Sequence, residues 1–188
     1  MNLKNRIVAV LCTAALAVPA LAYAKLSSGK GSEVTVGGTA IGIDFTMRMA
    51  EGLTVTDDGT TTAISFDGHN LRDKDSKGRT DEMHAKVFKK GYRTWHVIVK
   101  NADVANALKN KKTTLPATIK SAYGSKNVTI TEFAKDGDGK SFKAKGKIVV
   151  NYKELGVPEI CAELPGGIKG PCVKDTLTIR ASVALEES

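Results

Sequence analysis

The chain has 188 residues, of which 41% are hydrophobic and 26% are charged, and its formal net charge is +8. This length is typical of a single domain, and the sequence contains neither an internal repeat nor a low-complexity segment. The lysines are spread along the chain and are not interleaved with aromatic residues, so the positive charge gives no indication of nucleic-acid binding.

The first 24 residues have the composition of a secretory signal peptide. Lys4 and Arg6 precede an uncharged apolar run over residues 7–20, and Ala22-Tyr23-Ala24 has the small-x-small pattern of a cleavage site. The run is short for a membrane span, and a membrane-anchored N-terminus is the alternative. We therefore expect one mature domain over residues 25–188, exported to the periplasm and without Cys12.

Alternation of apolar and polar residues predicts strands, because successive side chains of a strand point to opposite faces. The clearest run is 141–152, where Phe142, Ile148 and the other even positions are apolar or small, whereas the odd positions are mostly polar. The predicted strands are residues 41–49, 62–66, 92–100, 115–123, 127–133, 141–152 and 176–185. Residues 67–79 are polar and are predicted to form a surface loop.

One helix is predicted, beginning at Thr80 as the N-cap and ending before Gly91 as the left-handed C′ residue. Met83 and Val87 are four residues apart and share a face, so we expect the helix to lie on an apolar surface of the sheet. Residues 101–112 are ambiguous between a helix and a loop.

These elements predict an all-β protein with one or two short helices. An antiparallel sheet that closes into a barrel has no exposed edges, and a barrel of about eight strands encloses either packed side chains or one slim ligand. A β-sandwich fits the strand count as well.

Two cysteines remain after signal cleavage, Cys161 and Cys172, and an even pair in an exported protein predicts a disulfide. Pro165, the glycines Gly166-Gly167 and Pro171 allow the intervening chain to turn back on itself. We expect the bond to pin a loop near one end of the barrel and to fix the register of the strands that the loop joins. A redox or metal-binding pair is the alternative, although the spacing is too wide for a CxxC motif.

No catalytic motif stands out. His69, His84 and His96 have no metal-binding spacing, and the sequence contains no HExxH, GxSxG or glycine-rich phosphate loop. We therefore expect neither an enzyme nor a cofactor.

A set of large aromatic or flexible apolar side chains provides candidates for a ligand-binding interior, since methionines suit an adaptable apolar cavity. An ordinary packed core is the alternative. The candidate ligand-binding residues are Phe45, Met47, Met83, Phe88, Trp95, Phe142, Ile148 and Tyr152.

The order of three stretches, 79–92, 142–157 and 175–179, resembles the YceI family of periplasmic lipocalin-like proteins that bind polyisoprenoids. The resemblance implies a lipocalin-like antiparallel β-barrel that holds a long isoprenoid, such as a quinone or a polyprenyl phosphate. The sequence departs from the family at Arg48 or Met49, where many members have a histidine, at Leu155 in place of an aromatic residue, and in an extra loop over 161–172.

Two functions follow as hypotheses. The first is a periplasmic binding or carrier protein for a long apolar lipid held in the barrel. The alternative is a non-enzymatic envelope module that binds an anionic partner, such as an anionic membrane surface, through a basic outer face formed by Lys143, Lys145 and Lys147.

Overall fold

A computed structural model describes residues 26–28, 30–40, 42–137 and 141–187 of the chain. The predicted signal peptide lies outside the described residues. Within them, neither helix has the length and apolarity that a membrane-spanning helix needs.

Most of the described residues lie in β-strands. There are also two α-helices, α1 (Lys77–Lys86) and α2 (Asn101–Lys109), and two 3-10 turns, Gly68–Asn70 and Tyr152–Leu155, among the described residues. The strands are β1 (Leu26–Ser28), β2 (Glu33–Ala40), β3 (Ile43–Met49), β4 (Leu53–Asp57), β5 (Thr61–Asp67), β6 (Arg72–Asp73), β7 (Thr94–Lys100), β8 (Leu115–Ser121), β9 (Ser125–Asp136), β10 (Ser141–Asn151), β11 (Cys161–Leu164), β12 (Ile168–Cys172) and β13 (Thr176–Glu187).

The main sheet is antiparallel and has eleven strands, in the order β4-β5-β7-β8-β9-β10-β13-β2-β3-β6, with β1 paired to β13. β1 also lies beside β4, which brings distant parts of the strand order together and curls the sheet into a barrel. The expected all-β, lipocalin-like architecture is confirmed. The count of about eight strands was too low, because β1, β4 and β6 are short and the two glycines within β2 hide its alternation.

The strand β10 is central, as its alternation predicts. It pairs with β13 from Ser141↔Glu186 to Asn151↔Thr176, and on its other side it pairs with β9. Ile148 and Val150 are buried, whereas Val149 is exposed, so one face of the strand is in the core. The strand ends at Asn151, one residue before its predicted end.

The predicted start of the first helix was wrong. Ser76 is the N-cap, and its hydroxyl accepts a hydrogen bond from the backbone N–H of Arg79 at 3.1 Å. Thr80 lies inside the helix, where its hydroxyl accepts from the backbone N–H of Asp73 at 2.9 Å. Residues 67–79 are therefore not one surface loop, since they contain a 3-10 turn, β6 and the first residues of α1.

The predicted end of this helix was also wrong. α1 ends at Lys86 with Val87 as the C-cap, and Gly91 has the expected positive φ of 86° but lies in the turn that follows. Met83 and Val87 are buried, as their shared face predicts, and they pack into the core.

The ambiguous segment after β7 is helical, and a buried polar contact fixes its start. The Asn101 side chain accepts from the Thr62 hydroxyl at 2.8 Å and donates to the Asp57 carboxylate at 3.0 Å. An asparagine that lowers helix propensity therefore anchors α2 to the turn between β4 and β5.

The strand directions give the barrel two distinct ends. The end that we call the open end carries α2, β1, the last residues of β9 and the first residues of β10. The opposite end, which we call the packed end, carries α1, the 3-10 turn Tyr152–Leu155 and the hairpin of β11 and β12.

The predicted disulfide is confirmed, because Cys161 and Cys172 are bonded and also face each other in the β11–β12 pairing. Gly166 and Gly167 have φ of 83° and 74° at the tip of the hairpin, as the turn requires. The hairpin is attached to the packed end, where Lys86 Nζ donates to the Cys161 carbonyl oxygen.

Candidate functional site

An apolar cavity occupies the barrel interior toward the open end. Its volume is about 100 Å³, so the space between the wall side chains is narrow. The side chains along its wall include Val34, Ile64, Phe66, Val97, Val99, Leu115, Ile130, Ile148, Ile179, Ala181, Val183 and Leu185.

The wall is apolar because each strand directs its alternate apolar residues inward. The strand β13, for example, contributes Ile179, Ala181, Val183 and Leu185, four positions spaced by two. The hydroxyl of Thr62 also borders the cavity, but it is already hydrogen-bonded to Asp57 and Asn101. A ligand in the interior would therefore contact almost only carbon atoms, and such an environment suits an apolar chain.

The mouth of the cavity lies at the open end. Val104 and Leu108 of α2 form one side, and the side chain of Leu108 is 38% exposed. Phe133 and Lys135 of β9 and Phe142 of β10 also line the cavity near this end. The cavity therefore opens between α2 and the ends of β9 and β10.

A β-bulge between β9 and β10 determines which side chains reach this mouth. Lys145 pairs with Ala134 and Lys147 with Thr131, so Glu132 and Phe133 together lie opposite Gly146. One extra residue reverses the alternation along β9. Ile130 faces the cavity before the bulge, whereas Phe133 and Lys135 face it afterwards.

Two backbone features hold the bulge. Glu132 adopts a φ of 55°, a left-handed backbone conformation that residues other than glycine rarely adopt. A Cβ atom at Gly146 would lie 2.5 Å from Cγ2 of Ile130, so the close approach of the two strands requires glycine there.

The bulge places a cation at an apolar opening. The Nζ atom of Lys135 lies 4.2 Å from the centre of the Phe142 ring, which is a cation–π contact. Lys135 also lines the cavity and is exposed to solvent, so its side chain borders the mouth.

The predicted ligand-binding residues separate into three groups. Phe142 and Ile148 line the interior cavity, and Phe45 and Met83 line a different pocket at the packed end. The remaining members, Met47, Phe88, Trp95 and Tyr152, are buried in the core. The structure thus brings two of the predicted residues to the interior cavity, and their binding role remains a prediction.

The buried group is tightly packed. The Trp95 ring centre lies 6.4 Å from that of Phe66 and 6.1 Å from that of Phe88. The Tyr152 hydroxyl donates to the Val173 carbonyl oxygen at 3.1 Å, and burial raises the pKa of Tyr152. Trp95 Nε1 has no hydrogen-bond partner among the described residues.

Sequence reasoning missed most of the cavity wall. The alternation of β13 and β7 indicates their inward faces, but the candidate ligand-binding residues were chosen for large aromatic or flexible side chains, and the smaller aliphatic residues were not among them. The spacing of Val104 and Leu108 was a usable signal for the helix at the mouth. Phe133 and Lys135 gave no such signal. They face inward because of the bulge, and an alternating pattern of apolar and polar residues does not reveal a bulge.

A second pocket, of about 280 Å³, lies at the packed end between β3, α1 and the disulfide hairpin. Its wall mixes apolar residues with Arg79 and Glu82. Arg79 forms an ion pair with Asp73 at 2.6 Å and lies 5.5 Å from the centre of the Phe45 ring. This pocket has a larger volume than the interior cavity, but its wall carries charged side chains, so it suits an apolar ligand less well.

The histidines do not assemble a catalytic site in the described residues. His69 and His84 stack with ring centres 4.5 Å apart, and burial lowers the pKa of His84. The Ser65 hydroxyl and His96 Nδ1 lie 2.7 Å apart, but they are directly paired across β5 and β7, and none of the described carboxylates bonds to His96. The pair is best explained as a cross-strand contact.

The predicted basic outer face carries less free positive charge than the sequence indicates. Lys145 pairs with Asp136 at 2.5 Å, and Lys147 pairs with Glu132 at 3.1 Å. The hydrogen bond and charge of Lys145 lower the pKa of Asp136. Lys143 has no ion-pair partner among the described side chains.

The curled antiparallel sheet around a narrow apolar interior defines a lipocalin-like barrel. A polyisoprenoid binding domain from Saccharophagus degradans, implicated in plant cell wall breakdown, has a similar structure, with a TM-score of 0.59 at 10% sequence identity over 88% of this chain and 99% of that one. BcnA from Burkholderia cenocepacia gives a TM-score of 0.57 at 12% identity, over 81% of this chain and 95% of its own.

No protein-family model and no curated protein sequence matches the chain. At these identities the two structures establish the fold. The YceI-like fold that the order of motifs implied is thereby confirmed.

Proposed function

We propose that the protein is a non-enzymatic binding or carrier protein of the periplasm that holds a long apolar lipid in its interior cavity. The ligand is an isoprenoid, such as a quinone or a polyprenyl phosphate. The observation that carries this proposal is the narrow interior cavity, whose wall is almost entirely apolar and whose mouth opens at one end of the barrel. The similarly folded domain from Saccharophagus degradans is described as polyisoprenoid binding, which supports the same ligand class here.

The shape of the cavity favours a long and slim ligand. Each buried methylene contributes about 0.8 kcal/mol, so one five-carbon isoprene unit contributes roughly 3 to 4 kcal/mol before the cost of association. Association costs on the order of 4 to 15 kcal/mol, so a chain of several units is needed for tight binding. A wide, rigid ligand would have to push apart strands that are hydrogen-bonded to each other.

Export to the periplasm is part of the same proposal. A disulfide between Cys161 and Cys172 is stable in an oxidising compartment, and the N-terminal residues have the pattern of a signal peptide. Cell fractionation, with N-terminal sequencing of the periplasmic form, tests this part. A chain that begins at Lys25 supports it, and an uncleaved chain in the cytoplasm contradicts it.

The first test of binding is organic extraction and mass spectrometry of the mature protein purified from its native periplasm. We expect an isoprenoid at a fixed stoichiometry. Recovery of no lipid from several independent preparations would contradict the proposal.

A cavity-filling variant provides a sharper test. Ala144 lines the cavity, whereas Ala134 lies on the exposed outer face of the neighbouring strand. We expect Ala144→Phe to abolish lipid retention and Ala134→Phe to leave it unchanged, since only the first substitution fills the interior. Equal lipid content in the two variants, both folded by circular dichroism, would place the lipid outside the cavity.

A further inference from the structure

We propose that Lys135 binds the head group of the lipid at the cavity mouth, so the ligand is an anionic amphiphile whose tail lies inward. The inference rests on the proposed function and deepens it by assigning the head group. It favours a polyprenyl phosphate, or another lipid with a phosphate or carboxylate head, over a neutral quinone.

The backbone places Lys135 at the mouth. The residue lies just after the β-bulge in β9 and pairs with Ala144, which faces the cavity. Without the extra residue of the bulge, the alternation would turn this lysine outward, toward the face that carries Asp136. The fold therefore directs this ammonium group to the opening of a space whose wall is almost entirely apolar. Lys145 also lines the cavity, but its ammonium group is paired with Asp136.

The N–H donors of the Lys135 ammonium group have no carboxylate partner among the described residues. Its described contact is with the face of the Phe142 ring, at 4.2 Å, and no described carboxylate lies within ion-pair distance of it. The neighbouring Asp136 is engaged by Lys145. A lysine ammonium has three N–H donors and accepts no hydrogen bonds, so its natural partner is an anionic oxygen.

The surroundings of the mouth add to the positive potential. Lys109, Lys111 and Lys112 are exposed at the end of α2 and in the segment that follows. This segment lies against β9, because the backbone N–H of Phe133 donates to the Thr113 carbonyl oxygen at 2.9 Å. An anionic head group at the mouth gains from this potential, whereas a neutral head group does not.

Isothermal titration calorimetry at low ionic strength with farnesyl phosphate and farnesol tests the inference, because the two ligands share one isoprenoid chain and differ in head-group charge. We expect the wild-type protein to bind farnesyl phosphate tighter by on the order of tenfold. Lys135→Gln should remove this preference and leave the affinity for farnesol unchanged, and Lys135→Arg should retain it.

Lys143→Gln is the matched control, since Lys143 is exposed one residue from Phe142 but on the outer face of β10. It should keep the preference for the phosphate. Equal affinities for both ligands in the wild type, a preference that survives Lys135→Gln, or an equal loss in Lys143→Gln would each overturn the inference while leaving the proposed function intact. Binding of neither ligand would overturn the proposed function itself, and the inference with it.

Discussion

The two ends of the barrel are built from the same alternating strands, yet the interior is filled by side chains at one end and contains the apolar cavity at the other. At the packed end, α1 and the residues after it insert Met83, Val87 and Phe88 into the interior. At the open end, α2 contributes Val104 and Leu108 only to the side of the mouth. Part of the difference lies in the two helices, so stability and binding capacity should be separable.

The largest effect is expected when a phenylalanine is replaced by alanine, and the cost of this substitution should differ between the two ends. Phe88 is 3% exposed and packs against the backbone of Gly68, so Phe88→Ala should destabilise the protein by about 3 to 5 kcal/mol. Phe142 is only half-buried, and Phe142→Ala should cost about 1 kcal/mol while weakening lipid retention. Urea denaturation gives both values. Equal costs would show that the ends are not energetically distinct.

The disulfide belongs to the packed end, so its removal should affect stability and not binding. We expect Cys161→Ser with Cys172→Ser to lower the free energy of unfolding by about 2 to 3 kcal/mol, because the unfolded chain gains conformational freedom. Reduction of the wild-type protein is the control and should reproduce the loss. An unchanged urea midpoint would mean that the hairpin does not fix the register of the strands it joins.

The bulge at the open end should be sensitive to a single methyl group. Gly146→Ala places a Cβ atom 2.5 Å from Cγ2 of Ile130, and we expect a loss of about 1 to 2 kcal/mol. The control is Gly78→Ala in α1 at the packed end, where a Cβ atom meets nothing within 4 Å, and a gain of about 0.5 to 1 kcal/mol is expected. A loss at both positions, measured by urea denaturation, would contradict the packing argument.

The smallest effect concerns pH at the packed end. Burial lowers the pKa of His84, and the nearby positive charge of Arg72 acts in the same direction. Since the unfolded chain then binds more protons, the stability that comes from neutral His84 is present above its ordinary pKa of about 6.5 and is lost as the pH falls below it. His84→Gln should reduce the slight fall in the urea midpoint between about pH 8 and about pH 5. An identical fall in the variant would assign the pH dependence to other groups.

The strands could be predicted where one face is buried along the whole length, as in β10, β13 and β7. The strand β2 was missed because Gly37 and Gly38 interrupt its alternation. A Cβ atom at Gly38 would lie 2.9 Å from Phe45 Cζ, so tertiary packing, which the local pattern does not contain, requires the glycine. Thr80 was mistaken for the N-cap because a choice among several hydroxyl residues depends on which one reaches a first-turn amide.

The site was less predictable than the fold. The candidates were chosen for size, and large side chains tend to fill space rather than leave it empty, so Met47 and Tyr152 lie in the core. The cavity instead follows from medium-sized residues such as Val97 and Val183, whose packing leaves room along the axis. The inward position of Lys135 depends on the bulge. A bulge arises from the pairing of two strands, so the sequence of either strand alone does not predict it.

The buried indole of Trp95 gives the protein an optical reporter of its own. It is the single tryptophan of the chain, is 3% exposed, and stacks on Phe66, which lines the cavity. Since no described group bonds to its N–H, its fluorescence should lie well to the blue of tryptophan in water. A quinone entering the cavity would quench that emission, whereas an isoprenoid without a chromophore would only shift it, so one emission spectrum separates the two ligand classes before any lipid is extracted.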